Sequence, residues 1–172
     1  MGELPLLPDE MRPILCDFLS KQSTLALGTA GLRDGRPQVA PLFFASDDAL
    51  NLYWISDPDS RHSRNIEDWS DVAVAIYVHT WDWTGIKGVQ IEGSAIPVTG
   101  DEERQRALAL YSAKFPFVDD RFGELIANSV FYVLRPRWLR WIDNERRFGY
   151  QQEFALPDGG GQDSDDSQPL SR

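Results

Sequence analysis

The chain has 172 residues, a formal net charge of −10, 42% hydrophobic residues and 12% aromatic residues. This length and composition predict one globular domain with a sizeable core. The acidic balance argues against binding to nucleic acid or to an anionic membrane surface, because both partners require a basic protein face.

Cysteine usage and the lack of long apolar runs predict a cytoplasmic protein. The single cysteine, Cys16, excludes an internal disulfide and fits a reducing compartment. No leader pattern is visible, and no apolar run approaches the roughly 20 residues that span a bilayer. His62, His79 and Cys16 do not have the spacing of a metal-ligand set, so no metal site is expected.

The chain is expected to open with an arm and a helix. Residues 1–8 contain two prolines and form the arm. The next segment predicts a helix over 9–21 with Asp9 as its N-cap. Four apolar residues at helical spacing mark its buried face. They are Ile14, Leu15, Phe18 and Leu19.

Three strands are predicted to follow with no helix between them. They cover residues 24–29, 37–45 and 49–56. Turns are expected at 31–35, where Asp34-Gly35 is the strongest signal, and at 46–48. Uninterrupted strands favour a small antiparallel barrel over a doubly wound sheet, in which strands and helices alternate.

The middle of the chain predicts a helix over 60–69 and two further strands. The strand over 72–78 is apolar on both faces and is expected to be buried on both sides. The strand over 86–98 contains Gly88 and Gly93, which indicate a bulge or a close approach of another backbone.

The last third predicts a helix, two strands and a tail. Thr99 and Glu102 have capping-box spacing, and Phe115-Pro116 ends the helix. The remaining elements are a short helix over 119–127 and strands over 129–134 and 138–142, separated by residues 135–137. The domain is therefore expected to cover 9–150, followed by an acidic, disordered tail over 151–172.

The segment after the third strand has the features of a phosphate-binding site. Ser60 is placed to cap the following helix, and Arg61, His62 and Arg64 come next. A helix N-terminus offers free N–H groups and a positive dipole end, so an anion there would be stabilised. The alternative is a solvated helix start whose cations pair with acidic neighbours. Those neighbours are Asp57, Asp59, Glu67 and Asp68.

Three segments in this order resemble the pyridoxamine-5'-phosphate-oxidase-like FMN-binding split barrels. Residues 60–66 are similar to the Ser-Arg-Lys segment of that family. Residues 87–93 resemble its glutamine-containing strand, and residues 100–116 are similar to a small bacterial branch. The resemblance covers roughly residues 14–149.

The resemblance implies a mainly β (α+β) fold, a six-stranded antiparallel split barrel with peripheral helices, that dimerises with FMN in a groove at the interface. Arg61 and His62 would hold the phosphate, Gln90 would contact the flavin ring from the other subunit, and residues 39–44 would present backbone to the ring. The cofactor-binding residues implied are Tyr53, Trp54, Ile55, Ser56, Ser60, Arg61, His62, Ser63 and Gln90. No catalytic residue is implied, because hydride can pass directly to the flavin.

Two departures narrow the expected function. His62 stands where the family often has lysine, and Phe115 stands where a Tyr-x-x-x-Arg-Pro motif would place the arginine that grips the substrate phosphate. The expectation is an FMN-dependent oxidoreductase acting on a small molecule other than pyridoxamine phosphate. The alternatives are a non-catalytic module that binds another phosphorylated ligand or a protein, and a deazaflavin-dependent reductase.

Overall fold

The computed structural model describes residues 4–31, 35–118, 122–123 and 128–157. In this part of the chain, three α-helices surround one antiparallel sheet. The helices are α1 (Met11–Lys21), α2 (Arg61–Asp68) and α3 (Asp101–Lys114). The strands are β1 (Thr24–Ala30), β2 (Pro37–Phe43), β3 (Ala45–Ser46), β4 (Leu52–Ser56), β5 (Asp71–Tyr77), β6 (Lys87–Pro97), β7 (Val130–Asp143) and β8 (Gln151–Ala155). No helix among the described residues is both long and apolar enough to cross a membrane.

The sheet is curled, which follows from the position of its two edges. Its order is β2-β1-β5-β6-β7-β4-β3, and β8 pairs with β7 off this path. Strands β2 and β3 are therefore the two edges, yet Phe44 alone separates them along the chain. The edges must lie close together, so the sheet forms a split barrel. The predicted mainly β barrel is confirmed, with seven strands along the path where six were expected.

The barrel interior holds the main core. Burial alternates along β1, as it does in a strand with one face turned inward. Helix α1 closes one side of this core, and its Phe18 meets Trp141 edge to face at a centroid distance of 5.1 Å. The buried residues of α1 are Met11, Leu15, Phe18 and Leu19. Ile14, predicted for the same face, is 40% exposed.

Strand β5 is buried on one face only within the single chain, whereas burial on both faces was predicted. Val72, Val74 and Ile76 point into the barrel. Ala73 and Tyr77 are exposed on the other face. Alanine is apolar but small, so an apolar run that includes it does not distinguish a covered face from an exposed one.

Strand β7 is continuous, where two strands separated by residues 135–137 were predicted. The ladder with β6 shifts register at Glu92/Gly93, and Gly93 then pairs with Pro136. A bulge accommodates a proline, which has no N–H to donate to the ladder. A Cβ on Gly93 would lie 2.1 Å from the Arg135 carbonyl oxygen, so the close approach predicted at this glycine is confirmed.

Helix α3 packs on a second apolar cluster outside the barrel, which includes Tyr53, Tyr111, Phe115 and Phe131. The helix ends at Phe115 as predicted. Two predicted caps were wrong. The N-cap of α3 is Gly100 rather than Thr99, and that of α1 is Glu10 rather than Asp9, neither with a side-chain capping bond. Three acidic residues in the first turn of α3 instead favour the positive end of its dipole.

Both ends of the described chain meet at β8. Residues 151–155, assigned above to the tail, form this strand and pair with β7. The arm joins it, because the Leu7 N–H donates to the Ala155 carbonyl at 3.2 Å. Residues 158–172 of the predicted tail, Asp34 of the predicted turn and all but 122–123 of the predicted helix over 119–127 lie outside the described residues.

Candidate functional site

Helix α2 starts at a serine cap, as the sequence predicted. The Ser60 Oγ accepts a hydrogen bond from the Ser63 N–H at 3.3 Å and lies 2.8 Å from the Ser63 Oγ. The cap satisfies one of the N–H groups that a helix start leaves without an intrahelical partner. Strand β4 leads directly into this start through residues 57–59.

His62 faces inward and links the strand to the helix. His62 is only 9% exposed. Its Nε2 lies 2.8 Å from the Ser56 Oγ and 3.1 Å from the Ser60 Oγ. Burial lowers the pKa of His62, so the imidazole is uncharged at neutral pH. In this chain His62 therefore binds two serines and carries no fixed positive charge at the helix start.

Arginine supplies the positive charge at the helix start. Arg61 is exposed on the first turn of α2, and its Nη2 donates to the Arg36 carbonyl at 3.4 Å. Arg36 is also exposed and immediately precedes β2. The first turn of α2 thus lies against the start of β2.

Two of the implied residues point their side chains away from any groove. Tyr53 is 0% exposed in the second cluster, with its hydroxyl 3.2 Å from Asp47 and 3.3 Å from Glu103. Burial, together with the negative charge of Asp47, raises the pKa of Tyr53 to about 12. Trp54 is 0% exposed inside the barrel and stacks on Tyr132. Neither residue is accessible to a ligand within the single chain.

A groove lies at the end of β4, and its volume is about 330 Å³. It brings Ile55 and Ser56 together with part of the β2 segment that was expected to face a flavin ring. The lining residues are Pro41, Leu42, Phe43, Ile55, Ser56, Asp57, Tyr111, Phe117, Phe122 and Ser129. We call this the β4 groove. The aromatic residues at its rim were not predicted, although they surround the Phe115-Pro116 signal in the sequence.

Gln90 lies elsewhere, on the outer face of the sheet. It lines a second groove of about 410 Å³ together with Ala26, Gly28, Ala73 and Ala75, among other residues. We call this the outer groove. Gln90 and the start of α2 do not line a common groove within one chain. The contact between Gln90 and a flavin that the resemblance implies stays a prediction.

Strand β2 connects the two grooves. Its exposed side carries Val39, which lines the outer groove, and Pro41 and Phe43, which line the β4 groove. A second molecule covering the outer groove would therefore reach the edge of the β4 groove.

The end of α3, where the family motif would place the substrate-phosphate arginine, carries no arginine. Phe115 is 5% exposed in the second cluster. The Lys114 Nζ donates to the Leu19 carbonyl at 3.0 Å and lies 3.9 Å from the centre of the Phe44 ring. Its ammonium group is thus used in packing α3 onto α1. The expectation that pyridoxamine phosphate is not the substrate stays a prediction.

Comparison with known sequences identifies the family. Residues 11–142 match the sequence model of the pyridoxamine 5'-phosphate oxidase family. The chain belongs to this family. The match spans the barrel from the start of α1 through most of β7, and so includes both grooves.

Three relatives of this family member show how far the likeness extends. The UPF0306 protein of Klebsiella pneumoniae (strain 342) is 28% identical over 149 residues, which are 84% of this chain and 93% of the relative. A conserved hypothetical protein from Mycobacterium tuberculosis has a TM-score of 0.66 at 20% identity, covering 85% of this chain and 91% of that chain. The heme storage protein HutZ from Vibrio cholerae has a TM-score of 0.57 at 22% identity, covering 72% and 88%. At such identities the two structures show a shared fold.

Proposed function

We propose that the chain is an FMN-binding flavoprotein, an oxidoreductase acting on a small molecule as a cytoplasmic homodimer. The observation that carries this proposal is the junction of β4 and α2. There Ser56 lines the β4 groove, and His62 joins it to the Ser60-capped helix start that presents Arg61.

The residues at this junction fit FMN at its phosphate end. A helix start with free N–H groups, a positive dipole end and an arginine is a chemically suitable partner for a phosphate dianion. The side chains of Pro41, Phe43 and Ile55 offer an apolar edge for the ring. Bound FMN supplies the hydride or electron transfer, and the protein positions it.

The outer groove supports the dimer. Its base consists of small residues, and Val39 and Tyr77 on the same side of the sheet are 69% and 65% exposed. Apolar residues exposed together on a sheet face are typical of protein interfaces. A second copy seated there places its own Gln90 toward the β2 edge of the β4 groove.

The test described below distinguishes FMN from other ligands. One protein of similar fold is a heme storage protein, so heme is one alternative ligand. Of the two histidines in this chain, only His79 is exposed, whereas His62 is buried and hydrogen-bonded to two serines. A deazaflavin cofactor carries a longer anionic tail and needs more basic residues than Arg36 and Arg61. A phosphorylated metabolite or a protein partner would use the same surface without redox chemistry.

The test is cofactor identification followed by titration. We expect protein purified from its native host to be yellow and to release one FMN per chain on denaturation, as identified by mass spectrometry. Apoprotein should bind FMN at micromolar concentrations. A Soret band, a deazaflavin mass, or colourless protein that takes up no FMN would each overturn the proposal.

Arg61 provides a second, sharper measurement. Arg61→Ala should weaken FMN binding by about 1.5–3 kcal/mol, the size of a hydrogen bond to a charged group, and leave riboflavin binding unchanged. The control is Arg104→Ala, because Arg104 is an exposed arginine on a different helix, α3. Equal loss for FMN and riboflavin would remove Arg61 from the phosphate site.

A further inference from the structure

Three side chains form a row across neighbouring strands on the outer face. Gln90 of β6 pairs with Arg140 of β7, which pairs with Glu153 of β8. The Arg140 Nη1 donates to the Gln90 Oε1 at 3.1 Å. Its Nε and Nη2 donate to one Glu153 oxygen at 2.9 and 2.7 Å. The three residues therefore form one hydrogen-bonded chain.

The hydrogen bonds of this row fix the orientation of the Gln90 amide. A guanidinium group has five N–H donors and no acceptor, so only the amide oxygen can face Arg140. The NH₂ group of Gln90 must then point away from Arg140. Consequently the part of the Gln90 amide that is directed away from Arg140 is its hydrogen-bond donor group.

Arg140 is itself held in place from two further sides. Glu153 accepts two of its hydrogen bonds, and the guanidinium carbon lies 5.1 Å from the centre of the Trp138 ring. Charge-assisted hydrogen bonds and cation–π contact both restrict a long side chain. The arginine therefore acts as a fixed support for Gln90, and its charge is balanced by Glu153.

The donor group faces an open space. The row continues past Gln90 through Ala75 and Ala26, which pair with it in order across β5 and β1. Both alanines line the outer groove, where neither side chain can reach the Gln90 amide. A ligand or partner in the groove thus meets two N–H donors beside a flat apolar surface.

We propose that Arg140 and Glu153 are positioning residues that hold Gln90 as a hydrogen-bond donor to an acceptor atom of the flavin ring of the partner subunit's site. The ring carries carbonyl oxygens and unprotonated nitrogens of that kind. This inference rests on the proposed function, and it assigns roles to β7 and β8 residues on the outer face.

The first test uses cofactor-free protein and solution NMR of side-chain amides. Arg140→Leu should shift and broaden the Gln90 NH₂ resonances, and Arg140→Lys, which keeps a cationic donor group, should retain most of the native shift. The control is Arg137→Ala on the same strand, which removes an exposed pair with Asp71 and should leave Gln90 unchanged. Identical Gln90 resonances in Arg140→Leu would overturn the inference whether or not FMN binds.

The second test measures FMN affinity and the flavin absorption spectrum. Gln90→Glu keeps the shape and the bond to Arg140 but removes both donors, so it should weaken FMN binding by about threefold to tenfold, the size of one neutral hydrogen bond. It should also shift the flavin bands. Arg140→Leu should reproduce both effects, and Arg137→Ala neither. If wild-type protein binds FMN, and Gln90→Glu binds it equally and with the same spectrum, this inference is overturned while the proposed function stands.

Discussion

The Nε2 atom of His62 lies 2.8 Å from the Oγ of Ser56, so one hydrogen bond joins the end of β4 to the first turn of α2. This bond connects the two sides of the loop between them, residues 57–59. A residue that the family resemblance implied as a phosphate ligand serves in this chain as a link between strand and helix. The phosphate would then depend on Arg61 and on the helix N–H groups.

His62 should make stability depend on pH in the acid range. Its folded-state pKa is lowered by burial from the ordinary 6.5. The unfolded chain is therefore protonated first as the pH falls. Stability from the neutral imidazole is complete above pH 6.5 and is lost as the pH falls through the folded-state pKa. Urea unfolding across this range should show wild type losing stability relative to His62→Gln. The control is His79→Gln, whose curve should follow wild type. A constant difference between wild type and His62→Gln would contradict the assignment.

Gly93 should not accept a side chain. A Cβ there would lie 2.1 Å from the Arg135 carbonyl oxygen, whereas at Gly28 the nearest contact would be 3.2 Å from the Ala73 oxygen. Gly93→Ala should lower the free energy of unfolding by roughly 1–3 kcal/mol, as overpacking does, and Gly28→Ala by clearly less. Chemical denaturation measures both, and equal losses would show that the bulge relaxes freely.

Lys114 should make stability depend on pH in the alkaline range. Burial lowers its pKa to about 8 from 10.5. Between these values the unfolded chain binds more protons than the folded one, so stability rises with pH across that interval. Lys114→Met should lack this rise when unfolding is followed from pH 8 to pH 10.5. Lys21→Met, which changes an exposed lysine paired with Asp17, should keep it. Parallel curves for Lys114→Met and wild type would reject the assignment.

Asp47 should be important for the turn before β4. Its carboxylate accepts the N–H groups of Ala49 and Asn51 at 3.0 and 2.9 Å, and the turn places Leu50 at a φ of 66°. Asp47→Ala should cost roughly 1–3 kcal/mol of unfolding free energy, because hydrogen-bonding groups lose their partner. Asp48→Ala changes an exposed neighbour and is the control. Thermal melts distinguish the two, and matching losses would count against the turn.

Local signals in the sequence were sufficient for much of the fold. The uninterrupted strands predicted the barrel, Ser60 predicted the start of α2, and Phe115-Pro116 predicted the end of α3. Each depends on residues a few positions apart. The interruption predicted in β7 was wrong because Pro136 is accommodated by Gly93, a residue far away in sequence. No local pattern reports such a pairing.

At the candidate site, the sequence was sufficient for the start of α2 after the third predicted strand and for its serine cap. The role of this helix start in binding stays a prediction. The inward direction of His62 depends on Ser56 lying opposite it, which is a property of the folded loop. Strand β8 escaped detection because Gln151, Gln152 and Glu153 are polar, and with it the support that Glu153 gives to Arg140.

The sheet order also determines when this protein can fold. Strand β4 pairs only with the two-residue β3 and with β7, and β7 is separated from it along the chain by α2, β5, β6 and α3. A ribosome must therefore release almost the whole barrel before Leu52 meets Leu134. Contacts of such long sequence separation make folding slow. Until β7 emerges, the Trp54 strand lacks its long pairing partner, and β7 truncations should aggregate rather than accumulate as partial barrels.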